Sequence, residues 1–233
     1  MALKHWLTTI SLAAVMPMAM STVLTFDEFT NGTRIDNEYL NDYGVSINGY
    51  NVDEGASNLA VIFDTTLSNT RDPDLEGPFI NINNPSLGSS NPNNVLIIHE
   101  NPNTCSTDIC SSPDDEGSRP SGFFTIDFSD PITLNSIDFF DIESSEATSK
   151  NEINLYDIFG DKIDNSFYTP GTGGNNTWDS LYFDTMDVSS IEINFNGSGA
   201  IDNIDFTVQV PAPSTILVLT LGIIGFGAAR RKR

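Results

Sequence analysis

The chain has 233 residues, of which 32 are acidic and 10 are basic, so its formal net charge at pH 7 is −22. All the acidic residues lie between Asp27 and Asp205, and that stretch carries a net charge of −27. Such a charge excludes nucleic acid and anionic membrane surfaces as partners, because both would repel the protein. It leaves divalent cations, cationic surfaces and neutral sugars as candidate partners. The alternative is that the acidity only keeps an exported protein soluble.

Residues 1–21 have the pattern of a secretory signal peptide. Lys4 and His5 form a weakly basic start, and the apolar run over residues 6–15 is too short to span a bilayer. Pro17 and the small residues after it mark a cleavage point. The alternative is an N-terminal core helix. The signal-peptide interpretation predicts export and leaves residues 22–209 as one domain.

Most segments of residues 22–209 alternate apolar and polar side chains, which is typical of half-buried antiparallel strands. The alternation is clearest at residues 24–27, 45–48, 124–128, 191–196 and 204–209. Continuous apolar runs at residues 59–63 and 95–98 favour two more central strands. The pair Gly160-Asp161 predicts a hairpin, and Asp130-Pro131 predicts a turn or a sheet edge. We therefore expect an all-β fold, an antiparallel β-sandwich of the jelly-roll type.

Two long loops interrupt the strands, at residues 68–94 and 101–121, and both are too long for simple hairpins. The second loop holds Cys105 and Cys110, the only cysteines of the chain. In an exported protein this spacing predicts a disulfide that closes a small loop. A zinc site would need more ligands than two thiols and a histidine, His99, that is distant.

Carboxylates in these loops and at the neighbouring strand ends point to a calcium site. One pair flanks a rigid proline in the first loop, a second pair lies in the other loop, and two more acids follow the apolar strand runs. If those strands are neighbours, all the carboxylates meet at one rim, and calcium takes six to eight oxygen ligands. The alternative is that they are merely solvated. The candidate ligands are Asp64, Asp72, Asp74, Glu100, Asp114 and Asp115, with Glu28 and Asp202 as a weaker pair between the terminal strands.

Enzymatic motifs are weak in this sequence, and we assign no catalytic residue. Paired carboxylates could serve glycoside hydrolysis, but with 32 acids some pair will satisfy any spacing by chance. His99 has no serine-nucleophile motif or zinc-protease motif to accompany it. Trp178, Tyr168 and Tyr182 could stack on a sugar ring, although such residues more often belong to a core or to cross-strand pairs.

The last 24 residues combine a short turn, an apolar segment at residues 216–229 and a basic end. A helix over that segment would span roughly 21 Å, which is short for a hydrocarbon core of about 30 Å. This favours a temporary membrane stop, with the cations held on the cytoplasmic side. A permanent tail anchor and a buried core helix are the alternatives. The turn residues are Val210, Pro211, Ala212, Pro213 and Ser214, and the basic end is Arg230, Arg231, Lys232 and Arg233.

This order of turn, apolar helix and arginine cluster resembles the PEP-CTERM sorting signal of Gram-negative bacteria, although Ala212 stands where that family usually has Glu. The resemblance implies recognition and cleavage by an exosortase, a transient inner-membrane anchor, and a final location at the cell surface or outside the cell. It covers residues 210–233 and implies nothing about the chemistry of the rest.

The body of the chain resembles a secreted bacterial β-sandwich found in many exported proteins of this kind. The resemblance is carried by segments such as residues 61–64, 94–98, 124–128 and 137–141. The closing segment Ile-Asp-Asn-Ile-Asp-Phe, residues 201–206, also resembles the final strand of galactose-binding-like jelly rolls, which implies a structural calcium between the first and last strands. Together the resemblances imply a non-enzymatic surface or matrix protein, with calcium and exopolysaccharide as expected ligands. A secreted polysaccharide hydrolase is the alternative.

Overall fold

The structure is a computed structural model that describes residues 19–115, 117–147, 151–163 and 166–209. Within it, Ser21–Val208 forms one compact unit. Residues 1–18 of the predicted signal peptide, the helix at residues 216–229 and the motif at residues 210–214 lie outside the described residues, whereas residues 19–21 of the predicted signal peptide begin a strand. Across the four described ranges, no helix has the length and apolar character needed to cross a membrane.

The described elements are almost all strands, as the alternating sequence predicts. One short helix, α1 (Leu40–Tyr43), and three 3-10 turns (Pro73–Leu75, Pro85–Leu87, Pro102–Thr104) lie between them. The strands are β1 (Ala19–Leu24), β2 (Val45–Asn51), β3 (Ala60–Asp64), β4 (Phe79–Ile80), β5 (Ser89–Ser90), β6 (Asn94–Ile98), β7 (Gly122–Phe140), β8 (Glu152–Tyr156), β9 (Phe167–Tyr168), β10 (Trp178–Phe195) and β11 (Ala200–Gln209).

The main sheet is antiparallel and follows the order β3-β6-β11-β7-β10-β8-β9, while β1 pairs with β11 and β2 pairs with β7. The long strands β7 and β10 pair along most of their length, with register shifts between Tyr182 and Ser190. Such irregularities bend a strand and increase its twist, which lets one strand contribute to two layers. β4 and β5 form a separate two-stranded ribbon.

Aromatic contacts show that the two halves of the long strands face each other across the core. Phe195, at the end of β10, packs on Phe124 in the first half of β7 and also on Phe139 in its second half, with ring centroids 5.7 and 6.5 Å apart. Phe128 likewise meets Phe206 of β11 at 5.1 Å. Burial of these rings supplies much of the stabilising free energy. The fold is therefore the expected antiparallel β-sandwich.

The pair Asp130-Pro131 does not form the expected turn. The first half of β7 pairs with β2 as far as Phe128, and the second half pairs with β11 from Ile132 onward. Pro131 lies between these two ladders, so its missing N–H leaves no strand partner unsatisfied. The predicted turn is instead the point where one continuous strand changes its neighbour.

The long loops cover the outer face of the β3-β6 region, which explains why those two strands are apolar on both faces. A second apolar cluster there brings Phe63 of β3 and Ile97 of β6 together with Leu75, Phe79 and Cys110 from the loops. β3 pairs only with β6 among the described strands. Its other edge is bridged by the preceding segment, where the amide of Ile62 donates to the carbonyl of Thr33 over 2.9 Å.

Candidate functional site

The structure separates two of the acidic residues that were expected to meet. β3 and β6 are antiparallel, so Asp64 lies opposite Asn94 while Glu100 follows the other end of the β6 strand. At about 3.3 Å per residue the two carboxylates are on the order of 20 Å apart along the strands. The prediction of one shared rim is wrong for this pair, because it assumed that both strand ends point the same way. Asp64 instead accepts hydrogen bonds from the amide and the hydroxyl of Thr66.

Arg71 neutralises two more of the predicted ligands. Its Nε lies 2.9 Å from Asp114 Oδ2, and its Nη2 lies 3.7 Å from Glu100 Oε1. A guanidinium in this position already supplies the positive charge that a metal ion would bring. Asp114 and Glu100 therefore belong to an ion-pair group at the loop surface.

Asp72, Asp74 and Asp115 remain; Asp74 is only partly buried, and the structure adds Asp141, which follows β7, to the buried pair Asp72 and Asp115. The acidic triad is Asp72, Asp115 and Asp141, which are 6, 9 and 4 % exposed. Asp72 Oδ1 accepts hydrogen bonds from the amides of Asp74 and Leu75, and Asp115 Oδ2 accepts one from the amide of Gly199. Asp72 Oδ2 and Asp141 Oδ1 are buried and have no hydrogen-bond partner. Buried carboxylate oxygens without a donor are costly, and a proton or a cation at such an oxygen would offset that cost.

Backbone hydrogen bonds hold the loops of the triad together. The amide of Asn176 donates to the carbonyl of Asp74 over 3.0 Å, and the amide of Asp141 donates to the carbonyl of Thr177 over 3.0 Å. Residues 176 and 177 thus connect the first acidic loop to the end of β7. Asp141 itself has a φ of +57°, a left-handed conformation that Asp tolerates better than most residues.

The electrostatics of the acidic triad are those of carboxyl groups that repel one another in a poorly solvated site. Burial, and then the negative charges of Asp72 and Asp74, raise the pKa of Asp141 from 3.8 to about 8. Burial and the charge of Asp114 raise the pKa of Asp72 to about 6. Burial, and then the charges of Asp72 and Asp141, raise the pKa of Asp115 well above its ordinary value. Near neutral pH such a cluster either holds protons or binds a cation.

Sequence reasoning missed Asp141 although a signal was present. It interrupts the apolar run Phe139-Phe140-Asp141-Ile142, whose other three members are at most 1 % exposed. A lone acid between buried neighbours is itself buried, and a buried acid needs a partner.

The weaker predicted pair, Glu28 and Asp202, lies around Tyr39 between the first and last strands. The Tyr39 hydroxyl donates to the carbonyl of Thr25 over 2.5 Å, and burial, nearby Glu28 and the charge of Asp202 raise the pKa of Tyr39. Asp202 is 1 % exposed and its Oδ1 has no hydrogen-bond partner. Burial raises the pKa of Asp202 to about 8, and the charges of Asp27 and Asp138 add to the effect, while the amides of Asn203 and Phe26 oppose it.

Glu143 and Glu146 form a third acidic group, and both carboxylates contact the basic residue Arg119. Its Nη2 lies 2.9 Å from Oε1 of Glu146, whose side chain is 3 % exposed, and 3.5 Å from the more exposed Glu143. Burial, and then the hydrogen bond to Glu143, raise the pKa of Glu146 to about 7, although Arg119 opposes the rise.

An open cavity of about 390 Å³ lies beside Arg71. Its size falls within the range of small-molecule sites. Both apolar side chains and polar groups line the cavity, so it offers a ligand contact area and hydrogen bonds. The lining residues are Asn31, Phe63, Leu67, Ser68, Asn69, Thr70, Arg71, Ser112 and Pro113.

Cys105 and Cys110 form a disulfide in the second long loop, with an S–S distance of 2.01 Å. Cys110 packs in the second apolar cluster. Trp178 also packs there, stacked on Phe140 with ring centroids 6.4 Å apart, whereas Tyr182 is 70 % exposed.

Comparison with known proteins gives one sequence match and several distant structural ones. No curated protein sequence matches the chain. A fucose-binding module of Streptococcus pneumoniae is similar with a TM-score of 0.29 and 12 % identity, over 39 % of this chain and 67 % of that one. Discoidin II of Dictyostelium discoideum is similar with a TM-score of 0.29 and 11 % identity, over 71 % of this chain and 60 % of that one. At such values the function of this chain must be argued from its own residues.

The sequence match concerns the segment after β11. Residues 209–233 match the family described as the PEP-CTERM protein-sorting motif, as the resemblance of residues 210–233 led us to expect. The chain therefore carries a PEP-CTERM sorting signal and is an exported, surface-sorted protein.

Proposed function

We propose that this protein is a non-enzymatic component of a Gram-negative cell surface or extracellular matrix that binds calcium through the acidic triad and a polysaccharide at the neighbouring loops. An exosortase would process it near residues 210–214 after a temporary stop in the inner membrane. The observation that carries the proposal is the pair of buried, unpartnered oxygens on Asp72 and Asp141.

Calcium suits the triad by donor type, because the carboxylates are hard oxygen donors in irregular loops. Their oxygens do not all lie within 4.8 Å of one another, so the loops would have to draw them together around the ion. Calcium accepts six to eight oxygen ligands in flexible geometry, so backbone carbonyls and water can complete a shell begun by Asp72, Asp115 and Asp141. A bound ion would also remove the mutual repulsion of the three carboxylates. Asp74 lies close enough to add to that repulsion and is a candidate fourth ligand. Asp64, Glu100 and Asp114 are not part of this proposed site.

Thermal melting tests the calcium site. A ligand at 100 times its dissociation constant stabilises the folded state by about 2.7 kcal/mol, so the melting temperature should rise with calcium and fall with a chelator. The Asp72→Asn variant should lose this response. Asp161→Asn, at the exposed β8 hairpin, removes one negative charge elsewhere and should keep it. The absence of any shift at millimolar calcium would reject the site.

The cavity beside Arg71 supports polysaccharide as the second ligand. Arg71 joins the cavity to Asp114, which immediately precedes Asp115 of the triad, so an ordered cation site would hold the cavity wall in place. A sugar ring could contact Leu67 and bond to the surrounding amides and hydroxyls. Glycan-array binding should require calcium and should be lost in Ser68→Trp, which fills the rim. Thr107→Trp, on an exposed loop residue outside the cavity, is the matched control and should bind normally.

A polysaccharide hydrolase remains the rival function, because a carboxyl group with a raised pKa can act as a general acid. Asp141, with a pKa of about 8, has that property. Turnover of a polysaccharide that disappears in Asp141→Asn, while the fold stays intact, would overturn the binding proposal. Binding without turnover supports it.

A further inference from the structure

Three groups that can bind a soft metal ion converge at the second long loop. The candidate ligand atoms of His99, Cys105 and Cys110 all lie within 4.8 Å of one another. His99 is 0 % exposed and Cys110 is 2 % exposed. His99 was expected to be too distant from the cysteines to share a metal with them. The chain folds back after His99, so the three residues are close in space.

The backbone holds this arrangement independently of the disulfide. The amide of Cys110 donates to the carbonyl of Gly32 over 2.8 Å, and the amide of Ser111 donates to the carbonyl of Thr104 over 3.0 Å. The amide of Ser106 closes the loop on the carbonyl of Ile109 over 2.7 Å. These bonds do not involve sulfur, so both thiols should stay close to His99 when the disulfide is reduced.

The hydrogen bonds of His99 suit a metal ligand. Its Nδ1 lies 3.2 Å from the carbonyl of Asp114, and its Nε2 lies 2.8 Å from the hydroxyl of Thr104, next to Cys105. With the disulfide formed, the amide of Asp114 donates to Nδ1 over 3.3 Å and the Thr104 hydroxyl donates to the carbonyl of Asn101, so Nε2 carries the proton and donates to Thr104. Binding of a metal at Nε2 would move that proton to Nδ1, which lies within reach of the Asp114 carbonyl and can donate to it, as metal-binding histidines usually do. Burial lowers the pKa of His99, which keeps the ring in the neutral form that binds metals.

We propose that His99, Cys105 and Cys110 form a redox-gated site for one Cu(I) ion. A dithiol reductant supplies two electrons and two protons to the disulfide and becomes a cyclic disulfide itself. The two thiols then lose their protons as Cu(I) binds to both sulfurs and to Nε2. Thiolate and imidazole ligands favour Cu(I) over hard cations, so the many carboxylates of this chain do not compete.

Anaerobic titration tests the proposal on the purified protein after reduction by dithiothreitol and its removal. Against the chelator bicinchoninate, the reduced chain should bind one equivalent of Cu(I), and the disulfide form should bind none. Ser106→Ala, a loop substitution that removes no ligand, should bind like the wild type, and the double variant Cys105→Ser/Cys110→Ser should not bind. His99→Gln should lose affinity by about tenfold or more, since even an outer-shell partner is worth that much.

X-ray absorption of the wild-type Cu(I) complex is the second measurement, and it does not depend on any variant folding. The result expected is two sulfur neighbours and one nitrogen neighbour. A site of sulfur alone, equal Cu(I) binding by the two redox forms, or a reduced chain that has lost its near-ultraviolet circular dichroism would each overturn the proposal.

Discussion

Asp115 Oδ2 accepts a 2.6 Å hydrogen bond from the backbone amide of Gly199. This bond ties the second long loop to the turn between β10 and β11, and it stabilises one of the three carboxyl groups of the acidic triad. It lowers the pKa of Asp115, but burial and the neighbouring carboxylates outweigh it. The fold therefore holds Asp115 in place while leaving its charge largely uncompensated, which is the condition under which a cation can bind.

Substitution of Gly199 should disturb both the fold and the triad. Its φ is +147°, and an added Cβ would lie 2.2 Å from Cδ1 of Ile142, a buried side chain. We expect Gly199→Ala to cost about 1–3 kcal/mol of unfolding free energy by overpacking, and to weaken calcium binding. Urea denaturation measures the first effect. Gly117→Ala is the control, because a Cβ there meets no atom within 4 Å, and an equal loss in both variants would contradict the argument.

The stability of the calcium-free protein should fall as pH rises from about 4 to about 8. In that window the unfolded chain has released protons that Asp72, Asp115 and Asp141 still hold in the folded state, since their folded pKa values are raised. For each proton that only the folded state retains, the free energy of unfolding falls by up to about 1.4 kcal/mol when the pH rises by one unit. Melting curves in chelator check this, and the slope should be shallower in Asp141→Asn. A stability that rises over the whole window would show that the triad does not control it.

Removal of Arg119 should cost far more than removal of an exposed lysine. Arg119→Met leaves the buried carboxyl of Glu146 without its charged partner, which we expect to cost about 1–3 kcal/mol. Lys162→Met is the matched control, because Lys162 and Glu152 are 41 and 39 % exposed and solvent screens such surface pairs, so its loss should be smaller. Denaturant titration of both variants gives the comparison. Equal losses would mean that Glu146 is stabilised by groups other than Arg119.

Much of the fold follows from the sequence, because a period of two and turn residues identify strands by local rules. The pairing of strands is a non-local property, and local rules do not supply it. The pair Asp130-Pro131, expected at a turn or a sheet edge, lies where β7 exchanges β2 for β11. Asp64 and Glu100, expected at one rim, lie at opposite ends because β3 and β6 are antiparallel. Asp72 could be found from its loop. The sequence marks Asp141 only as a lone acid in an apolar run, and its position near Asp72 depends on how the outer loops cover the β3-β6 face.

Export and sorting predict a specific mass for the native protein. The full chain has a mass of 25.4 kDa, and the mature protein should lack residues 1–21 and the segment after the motif at residues 210–214. Intact-mass analysis of protein isolated from its host measures both cuts, and the same spectrum reports the Cys105–Cys110 disulfide as a loss of two hydrogens. A mass that includes both Met1 and Arg233 would contradict processing.

Calcium titration calorimetry in two buffers of different ionisation enthalpy tests the central claim most directly. At pH 7 the raised pKa of Asp141 means that calcium must displace a proton, so the wild-type protein should bind with a heat that depends on the buffer. Asp141→Asn should bind weakly and release fewer protons than the wild type, and Asp161→Asn should match the wild type. Binding with no proton release, or equal binding by Asp141→Asn, would contradict a calcium site at the acidic triad.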